Sequence, residues 1–166
     1  MFLPESSEYL CPVCKAGLLI FRDYCSRIIR YEGGDSEKLC IPRHQCNNPK
    51  CRKLHRMLPD ILVPYKHYSE SVINDAVNDT LELDRIKDAP SLVTIRRWKR
   101  WIRLNSTDID GQLKSIAHRE LGFSKELLKS GVSLLKEMMC SIPYGWLRTI
   151  LRILYNSGSR LIPVYT

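Results

Sequence analysis

Cysteine content constrains the N-terminal third of the chain most strongly, because six of the seven cysteines lie before residue 52. The sequence Cys11-Pro-Val-Cys14 is a C-x2-C motif, and a C-x4-C pair follows at Cys46 and Cys51. Zinc takes four ligands in a tetrahedron, and two thiolates at such close spacing can cover one edge of it. The two pairs therefore predict one structural zinc ion (Zn²⁺) with four ligands: Cys11, Cys14, Cys46 and Cys51.

The second cysteine pair is more widely spaced than the first and contains Pro49. Three neighbouring residues therefore stay open as substitute ligands: Cys40, His44 and His55. Cys25 and Cys40 otherwise fit the usual role of an unmodified cysteine, that of a small buried hydrophobe. Four protein ligands leave the metal no open coordination position, which predicts a structural and not a catalytic site.

The segment 1–58 contains short apolar or β-branched runs separated by turn-forming residues. Runs at 18–22, 27–31 and 39–44 predict strands, and the Gly-Gly turn at 32–35 predicts a hairpin connection. The segment has too few apolar residues to build a large core, and small modules of this kind often depend on a metal. We therefore predict a zinc ribbon over residues 1–58.

The remainder of the chain predicts helices. Residues 59–68 include two prolines, which exclude a helix, and are too apolar for an unpacked linker, so we expect a packed extended connector. Helical apolar spacing begins after it and favours a helix-turn-helix over 69–104 and a C-terminal helical region over 105–166. The predicted fold class is α+β: a small N-terminal β zinc ribbon followed by an all-α helix-turn-helix and a C-terminal helical bundle.

The C-terminal helices have recognisable ends in the sequence. Thr107 with Asp110 resembles a capping box, which predicts a new helix from residue 107 to about Gly122. Another helix is expected over 124–140, and Pro143 suits the first turn of a last helix. These helices either complete the core or form a homodimer surface, because DNA-binding proteins often pair across two half-sites.

The stretch 91–103 carries most of the functional information. Ser91 is a typical helix N-cap, and at about 100° per residue an apolar side follows, which predicts a core face of Leu92, Ile95, Trp98 and Ile102. Its other sides carry five positive charges without an acid. Such a helix fits the DNA major groove, where arginine can bind guanine or phosphate. We predict that double-stranded DNA is bound by Thr94, Arg96, Arg97, Lys99, Arg100 and Arg103. The alternative is a solvated helix whose arginines pair with acids elsewhere in the chain.

Overall charge and hydropathy agree with a polyanionic partner. Lys and Arg number 26 against 18 Asp and Glu, which gives a formal net charge of +8. No apolar run approaches the ~20 residues of a membrane span. Pro4, Glu5 and Glu8 interrupt any signal-peptide core. We therefore expect an intracellular, cytoplasmic protein that does not enter a membrane.

The order of these motifs resembles a known bacterial family. The two cysteine pairs, residues 58–65 (Leu-Pro-Asp-Ile-Leu-Val-Pro-Tyr) and residues 94–98 (Thr-Ile-Arg-Arg-Trp) are similar to uncharacterised zinc-ribbon and helix-turn-helix proteins. Those proteins resemble the N-terminal part of insertion-sequence transposases. The resemblance covers about residues 1–104 and implies DNA binding linked to mobile elements. The C-x4-C pair departs from the usual C-x2-C of that family.

The leading hypothesis is therefore a DNA-binding protein, transposase-related or regulator-like, without a catalytic domain of its own. The acidic residues after Leu104 lack a strand pattern that would present them in a nuclease site, so we expect surface charges. One alternative is a protein-interaction adaptor that docks on a larger nucleic-acid-processing partner. RNA binding is a weaker alternative, because interleaved exposed aromatics are missing. An enzyme is the least favoured class.

Overall fold

A computed structural model describes residues 9–162 of the chain. A three-stranded antiparallel sheet comes first, in the order β1-β2-β3, with strands β1 (Leu19–Arg30), β2 (Ser36–Cys46) and β3 (Leu54–Arg56). Five helices follow in the described residues, with a 3-10 turn at Leu83–Arg85 between the first two. They are α1 (Glu70–Asn78), α2 (Leu92–Leu121), α3 (Lys125–Lys129), α4 (Leu134–Ser141) and α5 (Trp146–Asn156). The predicted α+β fold class is confirmed. Within the described residues, no helix has both the length and the apolar character needed to cross a membrane.

The sheet is one long hairpin with a short third strand. β1 is continuous where the sequence predicted two separate runs, and it pairs with β2 from Leu19 opposite Cys46 to Arg30 opposite Ser36. The polar residues in the middle of β1 are tolerated because Asp23 lies opposite Arg43, whose Nε donates to Asp23 Oδ1 at 2.5 Å. The Gly-Gly turn at 32–35 connects the strands, as predicted.

One hydrophobic core joins the hairpin to the helices. Ile29 of β1 and Ile41 of β2 lie in the same cluster as the buried residues of α1, α2, α4 and α5. Leu62 and Val63, between the sheet and α1, are fully buried in it. Two turns shape that connecting segment, since Leu62 N donates to Pro59 O and Lys66 N to Val63 O. The tip of the hairpin is therefore fixed relative to α2.

α2 is a single helix of 30 residues, and the break predicted after Leu104 is wrong. The polar residues that suggested a helix end are satisfied inside a continuous helix. Asn105 is buried, and its Nδ2 donates to Trp101 O at 2.8 Å and to Ile162 O at 3.2 Å. Its Oδ1 accepts from Ile162 N at 3.0 Å. The predicted ends of the whole helix are confirmed, because Ser91 caps its start and Gly122 its end.

Asp110 caps a different helix from the one the sequence predicted. Its Oδ2 accepts from Ser133 Oγ at 2.7 Å and its Oδ1 from Leu135 N at 2.8 Å, both at the start of α4. The helix predicted over 124–140 is also wrong, since α3 and α4 are separate helices with Gly131 between them. Glycine weakens a helix interior, and the carboxylate of Asp110 compensates by stabilising the new helix start.

We expect Asp110→Ala to lower the free energy of unfolding by about 1–2 kcal/mol, because a charged N-capping group and its two hydrogen bonds are lost. Urea denaturation of the metal-loaded protein measures this change. The matched control is Asp108→Ala, an exposed aspartate on the same helix, which should change stability by less than about 0.5 kcal/mol. Equal effects of both substitutions would contradict the assigned role.

α5 supplies the centre of the core. Five residues of this helix have no surface exposed to solvent: Trp146, Leu147, Ile150, Leu151 and Leu154. Pro143 lies in the turn before the helix and not in its first turn, because Gly145 with φ 100° forms the N-cap. The buried carboxylate of Glu70 receives a hydrogen bond from Arg148 N at 3.0 Å. This contact satisfies one of the unpaired amides at the start of α5 and joins it to α1.

Candidate metal centre and nucleic-acid interface

The structure brings the four predicted cysteine sulfurs together. The Sγ atoms of Cys11, Cys14, Cys46 and Cys51 all lie within 4.8 Å of one another. Two of these distances are 3.8 Å (Cys11 to Cys51) and 3.6 Å (Cys14 to Cys46). A tetrahedral ion with metal–sulfur bonds of about 2.3 Å requires sulfur–sulfur edges of about 3.8 Å. The cluster therefore fits a metal ion held by four thiolates, and this donor set suits zinc or iron.

The two cysteine loops share one backbone conformation. Lys15 and Arg52, each directly after the last cysteine of its loop, have φ values of 56° and 52°. In each loop the amide of this residue closes a tight turn: Lys15 N donates to Cys11 O at 2.9 Å, and Arg52 N donates to Asn48 O at 3.0 Å. Non-glycine residues seldom adopt positive φ, so its occurrence at both positions marks the loops as related in structure.

The sequences of the loops show the same relation. Residues 11–15 are Cys-Pro-Val-Cys-Lys, and residues 48–52 are Asn-Pro-Lys-Cys-Arg. Asn48 thus occupies the position that Cys11 has in the first loop, and the remaining sulfur comes from Cys46 at the end of β2. This substitution explains the C-x4-C spacing. The repeated pattern of proline, any residue, cysteine and a basic residue is the signal in the sequence that marks the second loop.

The surroundings of the sulfurs differ. A hydrogen bond from the backbone amide of Ala16 lowers the pKa of Cys14 to about 6, whereas burial raises the pKa of Cys46 to about 12. Gly17 packs against Cys46, and a Cβ at Gly17 would lie 2.5 Å from its Sγ. A thiol must lose its proton to bind a metal, so metal binding releases protons and weakens as the pH falls.

The alternative ligands lie outside the sulfur cluster. His55 Nε2 is 3.4 Å from Cys11 Sγ, at hydrogen-bonding distance, and burial lowers the pKa of its imidazole. The ring of His44 packs edge-on against Tyr9 at 5.8 Å and is not among the clustered groups. Cys40 is exposed, contrary to the expected burial, and lies opposite Ser26 on the hairpin. The neutral ring of His55 can therefore support a metal-bound thiolate from outside the coordination shell.

The buried side of α2 differs in two positions from the prediction. Trp98 and Ile102 are buried as predicted, but Leu92 is 61% exposed. Leu92 precedes Trp98 by six residues, which at about 100° per residue places it a third of a turn away. Trp101, outside the predicted core face, is also buried, and the ammonium of Lys66 lies 5.1 Å from its ring centroid.

The basic side of α2 faces solvent. Four guanidinium groups are exposed and form no ion pair with any residue that the structure describes: Arg96, Arg97, Arg100 and Arg103. Lys99 differs, because its ammonium pairs with Asp79 at the end of α1. The hydroxyl of Thr94 lies 3.0 Å from Ser91 Oγ, within the helix cap. The predicted DNA-binding set thus divides into four available arginines and two residues with internal partners.

In the segment predicted as a helix-turn-helix, the structure has α1 and the first part of α2, joined by residues 79–91, a connection longer than the turn of about 3–4 residues in that motif. α1 and α2 pack against each other in the core. The apolar residues Leu81, Leu83 and Ile86 suit a short helix, but this segment forms only the 3-10 turn. Asp88-Ala-Pro90 follows closely, and because proline restricts Ala89 to an extended conformation, a helix in this segment could not continue past Asp88.

Comparison with known proteins identifies one family. A family model described as "Domain of unknown function (DUF6431)" matches residues 11–98, just over half of the chain. The match begins at the first cysteine of the sulfur cluster and ends at the buried Trp98, so it includes all four cysteines, the sheet and α1. Searches of curated proteins and of solved structures gave no significant match.

Proposed function

We propose that this chain, which belongs to the family Domain of unknown function (DUF6431), is a zinc-dependent protein that binds double-stranded DNA through α2. The observation that carries the proposal is the row of four exposed arginines near the start of that helix, without ion pairs among the described residues. The resemblance of the cysteine and helix motifs to transposase N-terminal regions supports a transposase-related or regulator-like role. In this proposal the chain is a binding protein and not an enzyme.

Electrostatics favours a polyanion at this surface. Arg96 and Arg103 are seven residues apart, which in a helix corresponds to about 10 Å along the axis. Uncompensated positive charges repel one another within this length, and phosphate groups would relieve the repulsion while releasing counterions. The chain's formal net charge of +8 acts in the same direction.

Shape favours duplex DNA among polyanions. An α-helix fits the major groove, and arginine can bind guanine with two parallel hydrogen bonds. Arg96 and Arg97 lie closer to the start of α2, where recognition helices usually contact base edges. Leu92 and Val93 are also exposed at that end and could contact thymine methyl groups. Arg100 and Arg103 are then the proposed phosphate contacts.

The metal has a structural role in the proposal. Four thiolates fill a tetrahedral coordination shell, so bound zinc would hold the two cysteine loops together without an open position. The hairpin that carries Cys46 continues into the core through Ile29 and Ile41, where it packs with α2. Zinc thereby stabilises the cysteine loops at one end of the hairpin, while the other end packs with α2 in the main core.

The test is duplex binding by Arg97→Ala/Arg100→Ala, measured by electrophoretic mobility shift on fragments selected from a random-sequence duplex library. We expect a loss of about 100-fold in affinity, with the slope of log affinity against log salt reduced in magnitude by about 2. The matched control, Arg119→Ala/Lys125→Ala, removes the same charge from exposed positions near the other end of α2 and should change affinity less than about threefold.

Duplex affinity that is equal for the wild type and the α2 double variant would refute the proposal. The second candidate, a protein-interaction adaptor, would then be favoured by an apolar groove of about 350 Å³ beside α4. Leu121 and Phe123 at this groove are exposed. Exposed apolar surface of this kind often marks a contact with another protein or a second copy.

A further inference from the structure

A cleft of about 620 Å³ lies beside the sulfur cluster. Its walls come from five separate parts of the chain: the first cysteine loop at Pro12, β1 at Arg27, the segment around β3, the connecting segment at Tyr65, and the end of α5 with the residues up to Arg160. Gly158 allows this arrangement, because a Cβ there would overlap the carbonyl oxygen of Pro12. The cleft joins residues that are far apart in sequence, so no local motif marks it.

The lining of the cleft is cationic. Among the described residues that line it there is no carboxylate, and four side chains are basic: Arg27, Lys53, Arg56 and Arg160. Burial, together with the charge of Arg56, lowers the pKa of Arg27, so two guanidinium groups lie near each other in a partly buried place. A lining with several cationic side chains and no carboxylate among its described residues favours an anionic ligand.

Arg27 is held in a fixed orientation. Its Nη2 donates to Val63 O at 3.3 Å and to Lys66 O at 2.5 Å. Its Nε and Nη1 have no hydrogen-bond acceptor within the described part of the chain. A guanidinium that is anchored at one nitrogen and open at the others is suited to bind two oxygens of a phosphate.

Tyr65 adds an aromatic surface. Its backbone has φ 65°, in the left-handed region that non-glycine residues rarely adopt, and the residue is 56% exposed. Strained backbone of this kind persists where the surrounding structure requires it and is frequent in binding sites. An exposed phenol ring beside cationic side chains is the combination on which nucleotide bases stack.

We propose that this cleft binds a nucleotide, with its phosphate at Arg27, Lys53 and Arg160 and its base against Tyr65. The cleft volume is within the usual range for small-molecule sites. A free nucleotide and an unpaired nucleotide of a strand present the same chemistry, and the test distinguishes them. The site is separate from the arginines of α2, so it does not depend on duplex binding by that helix.

The test uses the full metal-loaded chain and two probes, thymidine monophosphate and a fluorescein-labelled oligothymidylate of about six nucleotides. Fluorescence anisotropy measures oligonucleotide binding, and unlabelled monophosphate competes. We expect Lys53→Glu/Arg160→Glu to weaken binding at least about tenfold. The matched control, Lys38→Glu/Lys125→Glu, makes the same charge change at exposed positions away from the cleft and should weaken it less than about threefold.

A second variant separates the base contact from the charge. Tyr65→Gly removes the ring and suits the left-handed backbone, so the fold is retained. We expect it to weaken oligothymidylate binding about fivefold or more, because a stacked base is lost, while competition by inorganic phosphate is unchanged. A purely structural role of Tyr65 would weaken both the binding of oligothymidylate and the competition by inorganic phosphate.

Two results would overturn the proposal: no binding of either probe to the wild type, or equal losses in the cleft variant and its charge-matched control. If the oligonucleotide binds more tightly than the monophosphate, the ligand of the cleft is an unpaired nucleotide of a nucleic-acid strand. If the two bind equally, the ligand is a free nucleotide. Arg97→Ala/Arg100→Ala should retain oligothymidylate binding. If only duplex binding fails, the proposed role of α2 is refuted and the proposal for the cleft is unaffected.

Discussion

Cys46→Ser should remove the bound metal and unfold the part of the chain around it. Cys46 is fully buried, and its Sγ lies 3.6 Å from that of Cys14, so a serine at this position leaves the cluster with three thiolates. The apolar residues around the sulfurs are few, with Leu19 the one buried non-cysteine side chain of that cluster among the described residues. Structural zinc contributes about 10–16 kcal/mol of binding free energy in small zinc modules, which makes this the largest expected effect.

The helices should survive this loss in part. The main core contains Ile29 and Ile41 from the hairpin but none of the four metal-site cysteines, so it forms a separate cluster. We expect hydrogen exchange to accelerate in the cysteine loops, over residues 9–18 and 46–56, while α2 and α5 stay protected. A strong chelator at neutral pH should reproduce the pattern in the wild type.

Native mass spectrometry measures the metal, with one ion per chain expected in the wild type and none in Cys46→Ser. The matched control is Cys40→Ser, an exposed cysteine on the same strand, which should retain the ion and the exchange pattern. Retention of a tightly bound ion by Cys46→Ser would show that the four sulfurs are not the ligand set.

Trp146→Ala should lower the free energy of unfolding by about 3–5 kcal/mol, because truncation of a buried aromatic leaves a large cavity. Trp146 has no exposed surface and lies at the start of α5, among the other buried residues of that helix. Its Nε1 also donates to Asn78 Oδ1 at 3.1 Å, which joins α5 to the end of α1. The substitution therefore removes both packing and a contact between two helices.

Urea denaturation of the metal-loaded protein measures this effect, with circular dichroism as the signal. Trp146→Phe keeps most of the buried area and should cost about 1–2 kcal/mol. Tyr144→Ala removes an aromatic side chain two residues away that is 80% exposed, and it should change stability by less than about 0.5 kcal/mol. A loss below about 1 kcal/mol for Trp146→Ala would contradict the central position of α5.

Local chain geometry explains which features could be predicted from the sequence. The spacing of Cys11 and Cys14 restricts both sulfurs to one edge of a metal tetrahedron, whatever the remaining chain does. Ser91 caps α2 because its side chain reaches the amide of Thr94, three residues away. The Gly-Gly turn at 32–35 likewise depends on neighbouring residues. Each of these interactions is complete within a few residues.

The helix ends that were predicted wrongly have a common physical reason. Asn105 and Asp110 are residue types that often end or start helices, because their side chains bind nearby backbone groups. In the folded chain their partners are distant in sequence: Asn105 binds Ile162, and Asp110 binds the start of α4. A sequence pattern gives the hydrogen-bonding capacity of a side chain but not the partner that tertiary packing supplies.

The sequence alone indicated the two cysteine pairs, the start of the basic helix and the α+β class, since short-range spacing decides them. The tertiary structure decided that α2 is continuous, that Lys99 pairs with Asp79, and that the arginines of α2 are left exposed. It also formed the cationic cleft from five separate segments. Those features arise from contacts between residues far apart in the chain, which only the packed core brings together.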